Sequence, residues 1–167
     1  LRPGIVHRLD KGTSGLLVTA RSDEVYEDLK NQFKERTVRK RYSAFVHGIP
    51  RFTSNIIDKP IRPSVSAYNF TRMEIGDSGK EAVTEYTVAE TFGTFSRLEV
   101  RPKTGRTHQI RLHLKSIGHP VLCDPLYGHE KEIRISEEAG EEAGSGRIVF
   151  DRLALHAERL EFCHPGT

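Results

Sequence analysis

An aspartate near the start of the chain has the surroundings that carboxylate chemistry needs. Asp10 lies between Arg8 and Lys11 and is followed by a glycine-rich turn that runs from Gly12 to Gly15. Neighbouring cations favour the ionised form of a carboxylate, so Asp10 could act as a nucleophile or a base. The alternative is an aspartate whose side chain closes the turn, and on this segment alone that structural role is favoured.

A second segment, residues 101–115, is rich in Lys, Arg and His. Gly105 would permit close approach to the start of the helix that follows, whose N-terminal amides could bind a phosphate. Within that helix, Arg111 adjoins the face marked by Ile110 and Leu114, and an arginine so placed indicates a buried partner carboxylate. The alternative is an exposed cationic helix whose side-chain stems run along the core.

A third segment, residues 34–41, combines positive charge with aromatic side chains just downstream. Tyr42 and Phe45 follow it directly. Basic residues next to aromatic rings suit a groove for nucleic acid, where rings stack on bases at about 1–3 kcal/mol each. A basic helix end stabilised by the helix dipole is the alternative. The basic residues of this segment are Lys34, Arg36, Arg39, Lys40 and Arg41.

Other site motifs in the chain are incomplete. Residues 76–80 lack the Walker spacing of a phosphate loop, and the absence of Gly-x-Gly-x-x-Gly disfavours a dinucleotide cofactor. His108 and His113 have no carboxylate at metalloprotease spacing, so we expect no metal site. A hydrolase that uses Ser14 or Ser78 is a third hypothesis, and neither serine lies in a Gly-x-Ser-x-Gly motif.

Length and composition fit a single globular domain. The chain has 167 residues and a formal net charge of +3, and no apolar run reaches the roughly 18 residues of a membrane span. Its two cysteines exclude a disulfide scaffold and a four-cysteine zinc site, and they fit a reducing compartment. Residues 129–146 carry six glutamates, which leaves the rest of the chain basic and favours a polyanionic partner.

The elements that would position these residues follow no regular strand–helix–strand rhythm. Ser22 would cap the first helix, and Gly118 would follow the end of the second. The predicted helices are 23–36 and 107–117, and the predicted strands are 15–20 (buried), 42–46, 82–90, 95–101 and 151–162, with a turn-rich stretch at 50–63. This mixture predicts an α+β domain with a mixed, largely antiparallel central sheet flanked by helices.

Taken together, five segments resemble, in the same order, the motifs of the RluA-type family of RNA pseudouridine synthases. The resemblance spans most of the chain, except for the loop near 50–70 and the acidic segment. The five segments are HRLDKGTSGLL at 7–17, KRYSAFVHG at 40–48, GKEAVTEYTV at 79–88, RPKTGRTHQIRLHLKSIGHPVLCDPLYG at 101–128 and LALHAERLEF at 153–162. Agreement of five motifs in order is not expected by chance.

The resemblance implies roles for individual residues and no need for a metal or an organic cofactor. Asp10 would be the catalytic aspartate, which attacks or deprotonates the ribose while uracil is detached, and Arg111 would pair with it. Arg8 would help to displace the target base and fill its space. Tyr42 would stack on the flipped uracil and assist proton transfer. The residues expected to bind RNA are Lys34, Arg36, Arg39, Lys40, Arg41, Lys103, Arg106 and His108.

The function implied is isomerisation of specific uridines in structured RNA, ribosomal or transfer RNA, to pseudouridine. The enzyme must expose a stacked base, which costs a few kcal/mol. Arg8 and Asp10 are two residues apart, a spacing that puts both on one face of an extended segment. A catalytically silent RNA-binding module is the competing hypothesis, and it would retain only salt-dependent binding.

The family pattern also predicts how the chain is organised. Residues 1–167 would be a pseudouridine synthase catalytic domain that lacks the usual N-terminal strand region and C-terminal end. Residues 129–146 would form an acidic surface insertion, exposed and mobile, that points away from the groove because glutamates repel RNA. We expect an intracellular protein, cytoplasmic or organellar, that acts as a monomer on RNA and not at a membrane.

Overall fold

A computed structural model gives the fold of the chain and describes residues 4–64, 72–135 and 147–166. Within these ranges lie ten strands and two helices. In chain order they are β1 (Ser14–Gly15), α1 (Asp23–Lys34), β2 (Arg39–His47), β3 (Ser54–Asp58), β4 (Ile61–Pro63), β5 (Met73–Ile75), β6 (Val83–Phe92), β7 (Phe95–Pro102), α2 (Gln109–Ser116), β8 (Ile133–Ile135), β9 (Arg147–Phe150) and β10 (Leu155–Glu161).

Six of these strands form the central sheet, in the order β1, β10, β2, β7, β6, β3. The β1–β10 pair is parallel, and the other pairs in this sheet are antiparallel. The remaining described strands form two antiparallel pairs, β4 with β5 and β8 with β9. The predicted α+β fold with a mixed, largely antiparallel sheet is confirmed.

The core lies between the middle strands of the sheet and α2. Alternate residues of β2 point to one face of the sheet, and there Ala44 and Val46 are fully buried in one cluster with Leu98 of β7 and Leu114 of α2. Full burial of a leucine or valine side chain contributes about 1.5–3 kcal/mol. This packing fixes α2, and with it Arg111, against the sheet.

Both predicted helices are confirmed, with ends close to those predicted. The hydroxyl of Ser22 accepts the N–H of Val25 at 3.4 Å and so caps α1. Gly118 has φ +85°, the left-handed conformation that is common just after a helix. Among the described residues, no helix is long and apolar enough to cross a membrane.

The buried strand predicted at 15–20 is wrong in extent and in burial. β1 covers two residues, and Leu16 and Leu17 are 51% and 45% exposed. β1 is an edge of the sheet and pairs with β10 alone. An apolar run indicates a buried strand only where strands or helices cover it, and periodicity alone does not reveal which strand forms an edge.

The stretch at 50–63, predicted as turn-rich, contains two strands, β3 and β4. β3 is an edge strand that buries one residue, Ile57, in the core, while its neighbour Ile56 is exposed. Its five residues are bounded by turn-forming residues, and one buried residue gives no alternating pattern. Turn composition therefore marked the ends of these strands rather than a loop.

The acidic segment at 129–146 is described only in part. Its residues 136–146 lie outside the described residues, so the predicted insertion stays a prediction. The flanks on either side meet as the antiparallel pair β8 and β9. At its start, Nε2 of His47 lies 2.7 Å from the carboxylate of Glu130.

Candidate active site

A basic groove with a cavity volume of about 560 Å³ lies beside the sheet. It is lined by the loop before β1, by the end of α1 with the start of β2, and by the loop between β7 and α2. The described residues that line it include six Lys or Arg and a single carboxylate. The predicted site residues brought together here are Arg8, Asp10, Lys34, Arg36, Lys40, Tyr42, Lys103 and Arg106.

Asp10 supplies the carboxylate of this groove from the loop before β1. Its backbone carbonyl accepts the N–H of Thr13 at 2.9 Å, and Gly12 takes up φ +89°, which favours glycine. A backbone hydrogen bond thus closes this turn, whereas the structural alternative drawn from the sequence had the Asp10 side chain closing it. The Asp10 side chain is 20% exposed, and its Oδ2 lies 3.9 Å from Nη1 of Arg111.

Arg111 is held mainly by a different carboxylate, that of Asp124. Its Nε and Nη2 atoms donate to Oδ2 and Oδ1 of Asp124 at 2.7 and 2.6 Å, and the two side chains are 2% and 0% exposed. The buried carboxylate predicted for Arg111 is therefore confirmed, and Asp10 is a more distant second partner. Sequence reasoning missed Asp124, although a buried arginine requires such a group within reach.

Both members of this pair carry charge. Burial raises the pKa of Asp124, but hydrogen bonds from Arg111 and from the N–H groups of Leu126 and Tyr127 outweigh burial, so the pKa lies below its usual value. Burial lowers the pKa of Arg111, but the hydrogen bond to Asp124 and the negative charges of Asp124 and Asp10 together outweigh burial, so the pKa lies above its usual value. A permanent positive charge therefore lies beside Asp10.

Tyr42 projects from β2 into the groove, on the same face as Lys40 and the core residue Ala44. Burial raises the pKa of its hydroxyl, and the negative charge of Asp10 raises it further. The phenol is therefore protonated at neutral pH and can donate a hydrogen bond. Its ring provides a flat surface in the groove that Asp10 also lines.

His7 anchors the loop from which Arg8 reaches the groove. Its ring stacks on that of Phe33 in α1, with centroids 4.6 Å apart, and its Nε2 accepts the N–H of Val18 at 3.0 Å. Burial lowers the pKa of His7, and the charge of Lys40 lowers it further, so the ring is neutral with its proton on Nδ1. Sequence reasoning did not single out His7.

Lys40 is a half-buried cation of the groove. Its Nζ donates to the carbonyl of Thr104 at 3.4 Å. Burial lowers the pKa of Lys40, and the charge of Arg36 lowers it further. Two other groove cations form exposed ion pairs, which are weak enough to exchange for phosphate. These pairs are Arg36 with Glu81 at 3.0 Å and Lys103 with Glu85 at 2.6 Å.

Two residues predicted to bind RNA, Arg39 and Arg41, lie on the other face of the sheet. Along β2 they alternate with the residues that line the groove, so their side chains point away from it. Arg41 lies 3.6 Å from the carboxylate of Glu99 and 3.3 Å from that of Glu158. A role for Arg39 and Arg41 in RNA binding stays a prediction, and the groove geometry does not support it.

His108 is not among the described residues that line the groove. It precedes α2 with φ +56°, a conformation uncommon outside glycine, and its Nδ1 lies 2.8 Å from the hydroxyl of Tyr127. Burial lowers the pKa of His108, and Arg111 lowers it further, so the ring is neutral. Contact with RNA through His108 stays a prediction.

No serine or cysteine among the described residues lines the groove. Ser14 contacts His156 at 2.9 Å, but neither residue lines the groove. Cys123 is buried, and burial together with nearby carboxylates raises its pKa to about 11, which leaves an inert thiol. Within the described part of the chain, no three His, Cys, Asp or Glu side chains could hold a metal ion together.

The sequence matches a family model and several curated proteins whose names all refer to RNA or ribosomal pseudouridine synthases. A family model described as RNA pseudouridylate synthase matches residues 1–116. The chain is 42% identical, over 100% of its length, to the uncharacterized RNA pseudouridine synthase YlyB of Bacillus subtilis, of which it covers 50%. It is 45% identical, over 99% of its length, to ribosomal large subunit pseudouridine synthase D of Vibrio cholerae, again covering 50%. The chain thus spans about half the length of these curated relatives.

Solved structures with the same fold carry similar names. Human RNA pseudouridylate synthase domain containing 1 aligns with a TM-score of 0.74 and 31% identity, over 95% of this chain and 63% of that one. Human RNA pseudouridylate synthase domain containing 4 aligns with a TM-score of 0.73 and 27% identity, over 95% and 66% of the two chains.

Proposed function

This chain belongs to the RNA pseudouridylate synthase family, and on that premise we propose that it converts uridine in RNA to pseudouridine with Asp10 as the catalytic carboxylate. One observation carries the proposal. Asp10 lies in a basic groove, with Oδ2 at 3.9 Å from the guanidinium of the buried Arg111. The carboxylate supplies the reactive group, and the surrounding cations supply affinity for a polyanion.

The reaction is an isomerisation whose atoms balance without a co-reactant. The bond between N1 of uracil and C1′ of ribose breaks, the base turns, and a bond forms between C5 and C1′. The proton on C5 leaves, and N1 gains one. Asp10 acts on the ribose, as a nucleophile or a base, while the glycosidic bond breaks. The groove places this carboxylate among six Lys or Arg side chains, which would hold the RNA backbone beside it.

The target uridine must first leave its stack, at a cost of a few kcal/mol. Arg8 lies two residues before Asp10 in the same loop, and we propose that it fills the space that the base vacates. Tyr42 offers its ring to the extruded uracil, as aromatic side chains do for unstacked bases. The groove volume of about 560 Å³ falls within the range of about 300–1,000 Å³ that is typical of small-molecule sites.

We propose structured RNA inside the cell as the substrate, with ribosomal RNA as the first to test and transfer RNA as the second. Support for this order comes from the Vibrio cholerae relative, whose name refers to the large ribosomal subunit. The groove cations would bind phosphates, which positions an RNA without reading its sequence. The choice of uridine is therefore expected to depend on RNA shape more than on these side chains.

Replacing Lys34, which lines the groove at the end of α1, is expected to weaken RNA binding through charge alone. Removal of one cation that binds a phosphate lowers the slope of log affinity against log salt by about 0.7–0.9. Lys34→Ala should show this decrease for any RNA sequence, measured as binding at several salt concentrations. Arg39→Ala is the matched control, because Arg39 lies nearby on the outer face of β2. Equal slopes for the two variants would contradict the assignment of the groove as the RNA site.

Two substitutions at Tyr42 separate its ring from its hydroxyl. Tyr42→Phe keeps the ring and loses a protonated phenol, so we expect unchanged RNA affinity and turnover lowered by about 10²-fold, the low end for a proton-transfer group. Tyr42→Ala should lose a further stacking contribution of about 1–3 kcal/mol. Single-turnover rates at saturating RNA measure both effects. Wild-type turnover in Tyr42→Phe would show that the hydroxyl has no role.

The proposed function is tested by looking for the product nucleoside. Unmodified ribosomal and transfer RNA transcripts are incubated with the protein, digested to nucleosides and separated by chromatography. We expect a new nucleoside with the mass of uridine and the retention time of pseudouridine. Failure to form it in either class of RNA would contradict the proposal.

A further inference from the structure

A buried amide, that of Gln109, lies between the central sheet and a loop that carries two cations of the groove. Gln109 is the first residue of α2, and it is 4% exposed. We propose that Gln109 is a positioning residue for RNA binding, because its amide holds the β7–α2 loop (residues 103–108) where Lys103 and Arg106 can bind phosphates of the RNA. The inference rests on the proposed function and deepens it.

The oxygen of this amide binds the β7–α2 loop. Oε1 of Gln109 accepts the hydroxyl of Thr104 at 2.6 Å and the backbone N–H of Arg106 at 3.0 Å, so both of its lone pairs are used. The carbonyl of Thr104 in turn accepts Nζ of Lys40 at 3.4 Å, and Nε of Arg106 donates to the carbonyl of Glu81 at 2.9 Å. The amide oxygen therefore fixes the backbone beside two groove cations, Lys40 and Arg106.

The nitrogen of the amide binds the central sheet. Nε2 of Gln109 donates to the carbonyl of Val83 at 3.0 Å and to the hydroxyl of Thr84 at 2.9 Å, both in β6. The orientation of the amide is unambiguous, because the loop N–H can only donate and the carbonyl of Val83 can only accept. Val83 also bonds the loop directly, through Thr104 at 3.0 Å and Lys103 at 2.9 Å. The amide thus completes the attachment of the loop to β6.

The chain of hydrogen bonds continues into the core and leaves the amide no alternative arrangement. The hydroxyl of Thr84 donates to Nδ1 of His113 at 2.9 Å, and the Nε2–H of His113 donates to the carbonyl of Lys59 at 3.0 Å. Burial lowers the pKa of His113, so the ring is neutral and has a single N–H to donate. Thr84 and His113 are both 0% exposed, so water does not compete for these bonds.

Loss of the amide would leave buried polar groups without partners in the loop and in β6. Such groups are costly, and the loop can recover partners only by moving into water. Lys103 and Arg106 would then leave their positions in the groove, although no charge has been removed from the protein. Because Gln109 is uncharged, a change in the salt dependence of RNA binding reports the displaced cations.

Gln109→Met tests this role, since it keeps the length of the side chain and removes its polar atoms. We expect the slope of log affinity against log salt to fall by about 0.7–1.8, which corresponds to one or two lost phosphate contacts. Binding of an unmodified ribosomal RNA transcript is measured at several salt concentrations, at a temperature where circular dichroism shows each variant folded. A wild-type slope in folded Gln109→Met would overturn the proposal.

Ser96→Ala is the matched control for loss of a buried hydrogen bond. Ser96 is 0% exposed, donates its hydroxyl to the carbonyl of Gly48 at 2.8 Å and is not among the described residues that line the groove. This variant should lose stability and keep the wild-type slope. An equal decrease of the slope in Ser96→Ala and Gln109→Met would show a general effect of destabilisation and overturn the proposal.

Thr104→Val serves if Gln109→Met does not fold. It removes the loop hydroxyl that the amide oxygen accepts, and valine matches threonine closely in shape. We expect the slope to fall by about 0.7–0.9, the value of one phosphate contact. A wild-type slope in this variant would count against the proposal in the same way.

A double variant shows whether the amide acts through Arg106. In the wild-type background, Arg106→Ala should lower the slope by about 0.7–0.9. In the Gln109→Met background it should lower the slope by less than about half as much, because the arginine has already left the groove. Equal decreases in the two backgrounds would overturn the proposal.

Hydrogen exchange of the backbone N–H of Arg106 gives a readout that needs no RNA. This N–H donates to a buried side chain, so we expect exchange at least about 10-fold slower in the wild type than in Gln109→Met. Equal exchange rates would overturn the proposal. Failure of the proposed function would be seen separately, as no pseudouridine formed by the wild type, and the exchange of Arg106 would still decide whether Gln109 holds the loop.

Discussion

Asp10→Asn is expected to lower pseudouridine formation by at least about 10³-fold, since the loss of a catalytic base or nucleophile removes a group that the remaining residues cannot replace. The amide that replaces the carboxylate fits the same space but can neither attack the ribose nor take its proton. The turn should persist, because the backbone carbonyl of Asp10 closes it. Single-turnover assays with saturating RNA give the rate of the chemical step.

Binding provides the control for this variant. Asp10 is the one carboxylate among the described residues that line the groove, so its neutralisation should leave RNA affinity unchanged or slightly higher. Asp23→Asn, at the exposed start of α1, is the matched variant and should retain full turnover. A rate for Asp10→Asn within a few-fold of the wild type, on the scale of ordinary surface changes, would refute the catalytic role.

Arg111→Met is expected to lower the free energy of unfolding by about 3–5 kcal/mol, because it leaves the buried carboxylate of Asp124 without its counter-ion. The side chain of Asp124 is 0% exposed, so water cannot replace the guanidinium. Urea unfolding, followed by circular dichroism, measures the change. Arg41→Met is the control, since the ion pairs of Arg41 are partly exposed and should be worth about 1 kcal/mol or less.

A double variant distinguishes loss of a partner from loss of packing. Arg111→Met combined with Asp124→Leu replaces the buried pair by apolar side chains, a change that is often neutral or stabilising. We expect it to recover most of the stability that Arg111→Met loses, and to remain inactive because Asp10 has lost its positive neighbour. A double variant no more stable than Arg111→Met would show that the unpaired charge was not the cause.

Local patterns in the sequence were sufficient to predict much of the fold. The N-cap at Ser22 and the glycine after α2 were correct because capping depends on neighbouring residues alone. Edge position is not local, so the exposure of Leu16 and Leu17, which follow the outermost strand β1, was missed. β3 has five residues and buries one of them, so it gave no alternating pattern that could outweigh the turn residues around it.

The candidate site, like the fold, could be predicted only as far as local sequence patterns allow. The basic and aromatic residues of β2 and the Asp10 loop were identified by type and spacing, but their division between two faces of the sheet depended on the register of the strand. That register places Lys40 and Tyr42 in the groove and Arg39 and Arg41 outside it. The requirement for a carboxylate beside Arg111 could be predicted, whereas the choice of Asp124 over Asp10 required the tertiary structure.

The most direct test of the central claim is release of tritium from RNA labelled at C5 of uridine, measured for the wild type and for Asp10→Asn. Isomerisation frees this hydrogen, and RNA binding alone does not. We expect release with the wild type, in step with pseudouridine formed, and none above background with Asp10→Asn. Equal release by both proteins would contradict the role of Asp10. Binding without release by the wild type would identify the chain as an RNA-binding module instead.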